Sequence, residues 1–335
     1  MTEYNASNHD YSVISGVSGA MFEAETSCFT GVRRTPICPP TGCTAILRKL
    51  RTLTEPPVMN ATTTRPSSPP FGRIAKLPSG HEMHYLEQGK GPAVVLVHGS
   101  GPGANGYSNF KRNIRPIAEA GYRVLVPDMI GFGWSSKPDI DYPLDLFVTT
   151  LLEFLDEVGV KRCTLVGNSL GGAIAIKASL DRPGLVEKLV MMGTGGIESR
   201  ETYFAMPGIR AMVSQFVGAG FDRPGLRELL EMLAFDPRVV DDALLDERWN
   251  VLQTQPKAVL ARMLIPDLSP RLIDIRCPVL GFWGVEDHFC PVSGANKILA
   301  AVGDSRMVLF AHCGHWAMLE YPDIFNRYVV DFLRN

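Results

Sequence analysis

The sequence predicts an α/β protein, a doubly wound and mostly parallel sheet with a helical lid insertion. Three features predict it. Short runs dominated by apolar residues recur at Ala93–Val97, Tyr122–Val126, Val186–Met192, Val279–Trp283 and Met307–Phe310, the pattern of strands buried on both faces. Stretches of helical period, such as Leu144 to Val158, separate them and supply the crossovers that parallel strands require. Between Gly195 and about Arg271 this alternation stops; helical stretches at Arg227–Leu233 and Asp241–Gln253 replace it, punctuated by Pro207, Pro224, Pro237 and Pro256. A helical block inserted between sheet strands is a candidate lid over an active site. The expected organisation is therefore a core over 71–195 and 272–335, a lid over 196–271 and an N-terminal extension over 1–70.

In chain order, residues 1–70 are rich in Ser, Thr, Pro and Asn and carry Pro56-Pro57 and Pro69-Pro70. Each proline removes a donor and biases its neighbour toward extended geometry, so this region reads as a disordered extension. Met59 lies inside it, and the chain from there onward suffices for a compact domain. Met59 is therefore a candidate native start, checked by the intact mass of the protein from its host. From Phe71 the pattern changes: His81–Leu86 alternates as an antiparallel strand, and Ala93–Val97 feeds the glycine-rich loop His98-Gly99-Ser100-Gly101-Pro102-Gly103. Tyr122–Val126 leads to Asp128, whose neighbours Gly131, Gly133 and Ser135 form a turn set, so Asp128 reads as a scaffold residue.

Bulk properties exclude several classes. The 335 residues are 45% hydrophobic and 20% charged, with a formal net charge of −2 and both signs interspersed. Such a chain has the material for a sizeable core and no basic nucleic-acid surface. No apolar run reaches the roughly 18 residues of a membrane span, and the polar N-terminus lacks the basic start and apolar centre of a secretory signal. The seven cysteines are scattered without a paired C-x-x-C spacing, which favours free thiols in a reducing cytoplasm over a disulfide frame or a zinc site. The expected partner is a small-molecule substrate, without nucleic acid or membrane; a homo-oligomer is left open.

The chemistry centres on Cys163–Ser179. The apolar run Thr164–Val166 enters Gly167-Asn168-Ser169-Leu170-Gly171, and small and apolar residues of helical character leave it. This is the strand, tight turn and helix of a nucleophile elbow, with Ser169 at its apex. A serine hydroxyl needs a base, and the base needs an orienting acid. His315 follows the last strand and Asp287 the one before it, so Ser169, Asp287 and His315 reach the same edge of a parallel sheet in the chain order of an α/β-hydrolase triad. Glu286 is the rival acid. The loop after Ala93–Val97 offers half of an oxyanion hole, a backbone N–H of Ser100 or Gly101 joining that of Leu170. It lacks the G-x-x-x-x-G-K-[ST] pattern of a phosphate cradle.

The motifs His98-Gly99-Ser100-Gly101-Pro102-Gly103-Ala104, Ser108-Asn109-Phe110, Gly167-Asn168-Ser169-Leu170-Gly171-Gly172 and Cys313-Gly314-His315-Trp316 together resemble the meta-cleavage product hydrolases of the α/β-hydrolase fold. These split the carbon–carbon bond of the 2-hydroxy-6-oxo-dienoates left by catechol ring opening. The resemblance spans Phe71 to Asn335. It implies Ser169 as nucleophile, His315 as base, Asp287 as orienting acid, and Asn109, Asn168 and Trp316 as substrate contacts. It also implies a lid arginine for the substrate carboxylate, placed at Arg248 with Arg227 as competitor. No cofactor or metal is implied. Two departures stand out: Val285 occupies a position where the family often has arginine before the acid, and the N-terminal extension has no counterpart.

Hydrolysis of a vinylogous 1,5-diketone is the expected reaction, giving a 2-hydroxydienoate and a carboxylic acid. Tyr203, Phe204, Met206, Met212, Phe216, Met232 and Phe235 suggest a large apolar acyl pocket, and Glu201–Val213 resembles the secosteroid-cleaving branch. A general carboxylesterase on the same triad, and a ligand receptor that retains a hydrolase fold, are the competing readings.

Overall fold

In the computed structural model, which describes residues 71–217 and 220–335, two strands precede the apolar runs: β1 (Arg73–Lys76) and β2 (Glu82–Gln88). The runs themselves form β3 (Ala93–Val97), β4 (Arg123–Pro127), β6 (Cys163–Asn168), β7 (Val186–Met192), β9 (Val279–Gly284) and β10 (Ser305–Phe310). These build one eight-stranded sheet in the order β1-β2-β4-β3-β6-β7-β9-β10. β2 is antiparallel to both its neighbours, and every other pair is parallel. The disordered-extension reading of 1–70 and the proposed start at Met59 lie outside the described residues.

Alternation within a strand divides the core in two. In β3, Val95 and Val97 join one apolar cluster while Val94 and Leu96 join the other, because successive side chains point to opposite faces. The first face is covered by α3 (Leu144–Glu157), α4 (Leu170–Asp181) and α10 (Ser293–Ala301), through Phe147, Leu151, Phe154 and Leu155, the small residues after the elbow, and Ala295 and Ile298. Helices α1 (Gly106–Phe110) and α2 (Ile114–Glu119) and the terminal α12 (Pro322–Arg334) cover the second, through Phe110, Ile117, Phe325 and Val329. Each fully buried side chain of this size contributes roughly 1.5–3 kcal/mol.

The block after β7 is helical. It runs through α5 (Arg200–Ala205), α6 (Pro207–Val217), α7 (Arg223–Glu231), α8 (Asp242–Leu252) and α9 (Lys257–Ala261). Side chains stop and start these helices: Asp222 accepts from the Gly225 N–H at the head of α7, with Pro224 in its first turn, and Asp241 accepts from the Leu244 N–H at the head of α8. A two-stranded parallel pair, β5 (Tyr142–Pro143) with β8 (Met263–Leu264), stitches the far end of the insertion to the segment entering α3. Strands of two residues leave no periodicity to detect. β1 is missed for a related reason, being a short edge strand whose residues are mostly exposed.

Candidate active site

Register sets the site. Val97 of β3 is level with Gly167 of β6, Asn168 with Met192 of β7, Met192 with Phe282 of β9, and Gly284 with Phe310 of β10. The loops after these four ends therefore meet at one edge. Ser169 stands at φ 54° and ψ −117° as the cap of α4, a conformation that non-glycine residues rarely adopt and that surrounding structure must hold. Four backbone bonds do so: Ser169 N donates to Met192 O (3.0 Å), and Ser169 O accepts from Gly172 N and Gly195 N (2.9 Å each) and from Ala173 N (3.3 Å). Gly171 is required by crowding, since a Cβ there would lie 2.0 Å from Val97 O.

Asp287 and His315 meet as predicted by their chain order. His315 Nδ1 lies 2.8 Å from Asp287 Oδ2, both buried, and Asp287 Oδ1 accepts from the N–H groups of Phe289 (2.8 Å) and Cys290 (2.9 Å). These backbone donors support the acid where Val285 replaces the family arginine; Val285 itself is exposed. The rival Glu286 is committed elsewhere: its N–H donates to Cys313 O (3.1 Å) and its carboxylate accepts from Cys313 N (3.2 Å). Phe289 lies 5.4 Å from the His315 ring, centroid to centroid. The Cys290 thiol, whose backbone N–H donates to Asp287, is driven by burial well above its ordinary pKa and so stays protonated.

The glycine-rich loop lies against the elbow, Gly99 within 3.0 Å (measured from an ideal Cβ) of Ser169 Cβ. Ser100 and Gly101 follow it directly, and the Leu170 N–H, at the first position of α4, has no acceptor within its own helix. The lid holds this loop in place. Gln255 Oε1 accepts from Gly103 N (2.8 Å) and Gln255 Nε2 donates to Gly101 O (3.3 Å). Gly103, at φ +67°, passes beneath the Arg248 backbone so closely that a Cβ would lie 2.0 Å from Arg248 O. His98 braces the other side: Nδ1 donates to Gly99 O (2.7 Å), and Nε2 accepts from Met129 N (2.9 Å). Burial lowers its pKa to about 4, so the imidazole is neutral and its tautomer fixed.

The remaining predicted residues form a continuous chain. Arg248 Nη2 donates to Asn109 Oδ1 (2.7 Å), Asn109 Nδ2 to Asn168 Oδ1 (3.0 Å), and Asn168 Nδ2 to Met192 O (3.2 Å) and His315 O (3.3 Å). The asparagine amides thus spend these bonds on protein partners. The Arg248 guanidinium lies over the Trp316 ring at 5.2 Å. It is 2% exposed, its Nε has no hydrogen-bond partner, and no carboxylate stands within ion-pair distance among the described residues. Burial lowers its pKa to about 10. The competitor Arg227 points outward instead, paired with Asp242 and donating to Val240 O.

Sequence reasoning missed Gln255, Cys290, Phe289 and Glu320. A glutamine in a lid loop and an acidic residue on a short helix carry no signal that separates them from solvated surface. Of the suggested pocket residues, Phe235 is 47% exposed with its ring against His312, and Phe204 lies beneath the Arg200 guanidinium. Tyr203 turns inward, its hydroxyl donating to Thr194 O. Cys163, Cys277, Cys290 and Cys313 are unpaired thiols. Among the described residues no helix is long and apolar enough to cross a membrane, and no group of three His, Cys, Asp or Glu is placed to hold a metal ion.

A mostly parallel sheet with a serine elbow after β6, an acid after β9 and a histidine after β10 defines an α/β hydrolase, and residues 94–328 match the alpha/beta hydrolase family. Within that family the chain belongs to the meta-cleavage product hydrolases. It is 36% identical to a 2-hydroxy-6-oxo-6-phenylhexa-2,4-dienoate hydrolase of Comamonas testosteroni over 264 residues, 75% of this chain and 91% of the relative. A 2-hydroxy-6-oxononadienedioate/2-hydroxy-6-oxononatrienedioate hydrolase of the same species is 36% identical over 77% of this chain and 93% of its own length. The solved structure of the 2-hydroxy-6-oxo-6-phenylhexa-2,4-dienoate hydrolase from Rhodococcus sp. strain RHA1 superposes with a TM-score of 0.68 at 27% identity, covering 79% of this chain and 99% of that one.

Proposed function

We propose that this enzyme hydrolyses the C5–C6 bond of a 2-hydroxy-6-oxo-dienoate, releasing a 2-hydroxydienoate and a carboxylic acid. One observation carries the reading beyond a generic esterase: the buried guanidinium of Arg248, with an unpartnered Nε and, among the described residues, no carboxylate within ion-pair distance, the neighbouring Glu247 being paired with Lys111. An uncompensated buried charge is costly, and a planar guanidinium is matched by a planar carboxylate with a neighbouring oxygen. A substrate that carries its own carboxylate completes this site; a simple ester leaves it uncompensated.

The roles follow. Arg248 and Trp316 hold the carboxylate end, and Asn109 and Asn168 link that end to the elbow. The dienol first tautomerises to its keto form by moving a proton to C5, which gives the later break an electron sink. In the reaction the Ser169 hydroxyl donates to His315 Nε2. His315 then serves proton transfer, held in tautomer by Asp287, while Ser169 attacks the C6 ketone and the Leu170 and Ser100/Gly101 N–H groups receive the oxyanion. The C5–C6 bond breaks to a dienolate, and water supplies the oxygen of the departing acid. We place this activity in the cytoplasm, on a small-molecule substrate without nucleic acid or membrane partner.

The test is a panel of coloured ring-fission products bearing aryl, carboxyalkyl and secosteroid acyl groups. Loss of the dienolate colour with at least one member is expected. Ser169→Ala should lower turnover by about 10⁴-fold or more while substrate still binds. No bleaching with any member alongside brisk hydrolysis of simple esters overturns the assignment in favour of a carboxylesterase.

A further inference from the structure

The base and the carboxylate-binding arginine come from different parts of the chain. His315 follows β10, whereas Arg248 rides on α8 inside the insertion. A conjugated dienoate is rigid, so the spacing between its carboxylate and its ketone is fixed. The protein must hold Arg248 and His315 in matching register, because a misplacement of about 1 Å costs on the order of 10²-fold in rate.

The segment Leu233–Asp236, between α7 and α8, is where the two parts join. His315 N donates to Leu233 O (2.8 Å). Gly314 packs so closely there that a Cβ would lie 2.8 Å from Leu233 O. His312, at φ 57°, sets its ring 5.0 Å from that of Phe235. One carboxylate then spans both sides. Glu320, on the short helix α11 (Ala317–Glu320), accepts from Gly314 N at Oε1 (2.8 Å) and from Phe235 N (2.8 Å) and Asp236 N (3.3 Å) at Oε2. The Cys313 thiol also donates to Oε1 (3.6 Å). Its helix is fixed to the core from behind by Arg112 Nη1 on Leu319 O (2.9 Å) and Asn113 Nδ2 on Met318 O (3.1 Å).

We propose that Glu320 is a positioning residue that ties the lid segment Leu233–Asp236 to the His315 loop and so sets the register between the base and Arg248. Both oxygens are needed, one for each side. Glutamine preserves the volume but turns an NH₂ group toward one of the two donor sets, breaking the bridge on that side. The inference rests on His315 as base and Arg248 as carboxylate site.

The test is a double-mutant cycle on the dienoate substrate, with turnover scaled to the folded fraction from thermal melts. Glu320→Gln should lower kcat by about 10-fold with KM changed less than about threefold. In an Arg248→Gln background the same change should cost less than about threefold, because the register it maintains no longer has a second end. Equal losses in the two backgrounds, a rise in KM with kcat preserved, or no loss per folded molecule overturns the proposal. His315→Ala separates the underlying reading: if it retains turnover, the base assignment fails independently of how the cycle behaves.

Discussion

Among the described residues two buried histidine–aspartate pairs share the same Nδ1 to Oδ2 distance of 2.8 Å, His315 with Asp287 and His84 with Asp128. Only one belongs to the candidate site. In the other, His84 Nε2 is occupied by Phe71 O (2.8 Å), and the Asp128 carboxylate also accepts from Gly106 N (2.8 Å) and Trp134 N (3.0 Å). That pair ties β2, the start of α1 and the turn after β4 together, and no nitrogen is left over for a substrate. In the His315 pair the aspartate is similarly supported by two backbone donors, but no described residue hydrogen-bonds the second imidazole nitrogen. A histidine–carboxylate contact alone is thus no mark of catalysis; the fate of the second nitrogen separates a brace from a base.

Parallel substitutions break the comparison most strongly. Asp287→Asn should lower kcat by about 10³-fold or more with little change in folding, through loss of the tautomer that directs Nε2 at the serine. Asp128→Asn should do the reverse, destabilising the fold by about 3 kcal/mol while leaving turnover of the folded fraction within about twofold. Urea unfolding and steady-state kinetics on both variants check this; comparable losses of turnover in the two would erase the distinction. Arg248→Gln should lower kcat/KM for a dienoate by about 10²-fold but change hydrolysis of a neutral ester by less than about threefold. An equal loss on both substrates would make the arginine structural.

The smallest effect is on stability against pH. His98 is held at about 4 by burial, well below its ordinary 6.5. A depressed folded pKa contributes stability above pH 6.5 that is lost as pH falls toward 4, because only the unfolded chain takes up the proton. The loss amounts to about 3 kcal/mol over that interval. His84 runs the other way: burial lowers its pKa, but the Asp128 hydrogen bond and charge and Phe71 O outweigh this and raise it. Its contribution is present below pH 6.5 and fades as pH rises through the raised value. Unfolding free energies between pH 4 and 8 for wild type and His98→Gln check the assignment; a slope unchanged by the substitution in the acid range would remove His98 as its source.

Much of this was legible from residue order. Buried parallel strands announce themselves by composition, and a loop that follows such a strand must emerge at a known edge, so Ser169, Asp287 and His315 could be gathered before any coordinates. Asp128 was readable as scaffold from the glycines around it. The resemblance already favoured Asp287 over Glu286, but the reason lay outside the sequence: the two are adjacent, and the turn after β9 sets which carboxylate meets His315 and which clasps Cys313. Arg248 was likewise preferred to Arg227 on the resemblance, and the lid face that meets the glycine-rich loop supplies the physical reason.

The sequence by itself determined the sheet and the order of the triad, because both follow from local pattern and chain direction, and its resemblance to the meta-cleavage product hydrolases implied the class of bond to be broken. Tertiary structure alone decided how those groups are held. Gln255 on the oxyanion loop, the two N–H groups on Asp287 and Glu320 between the lid and the base loop are contacts between segments distant in sequence or between side chain and backbone. Such contacts depend on where loops meet, which no residue spacing encodes.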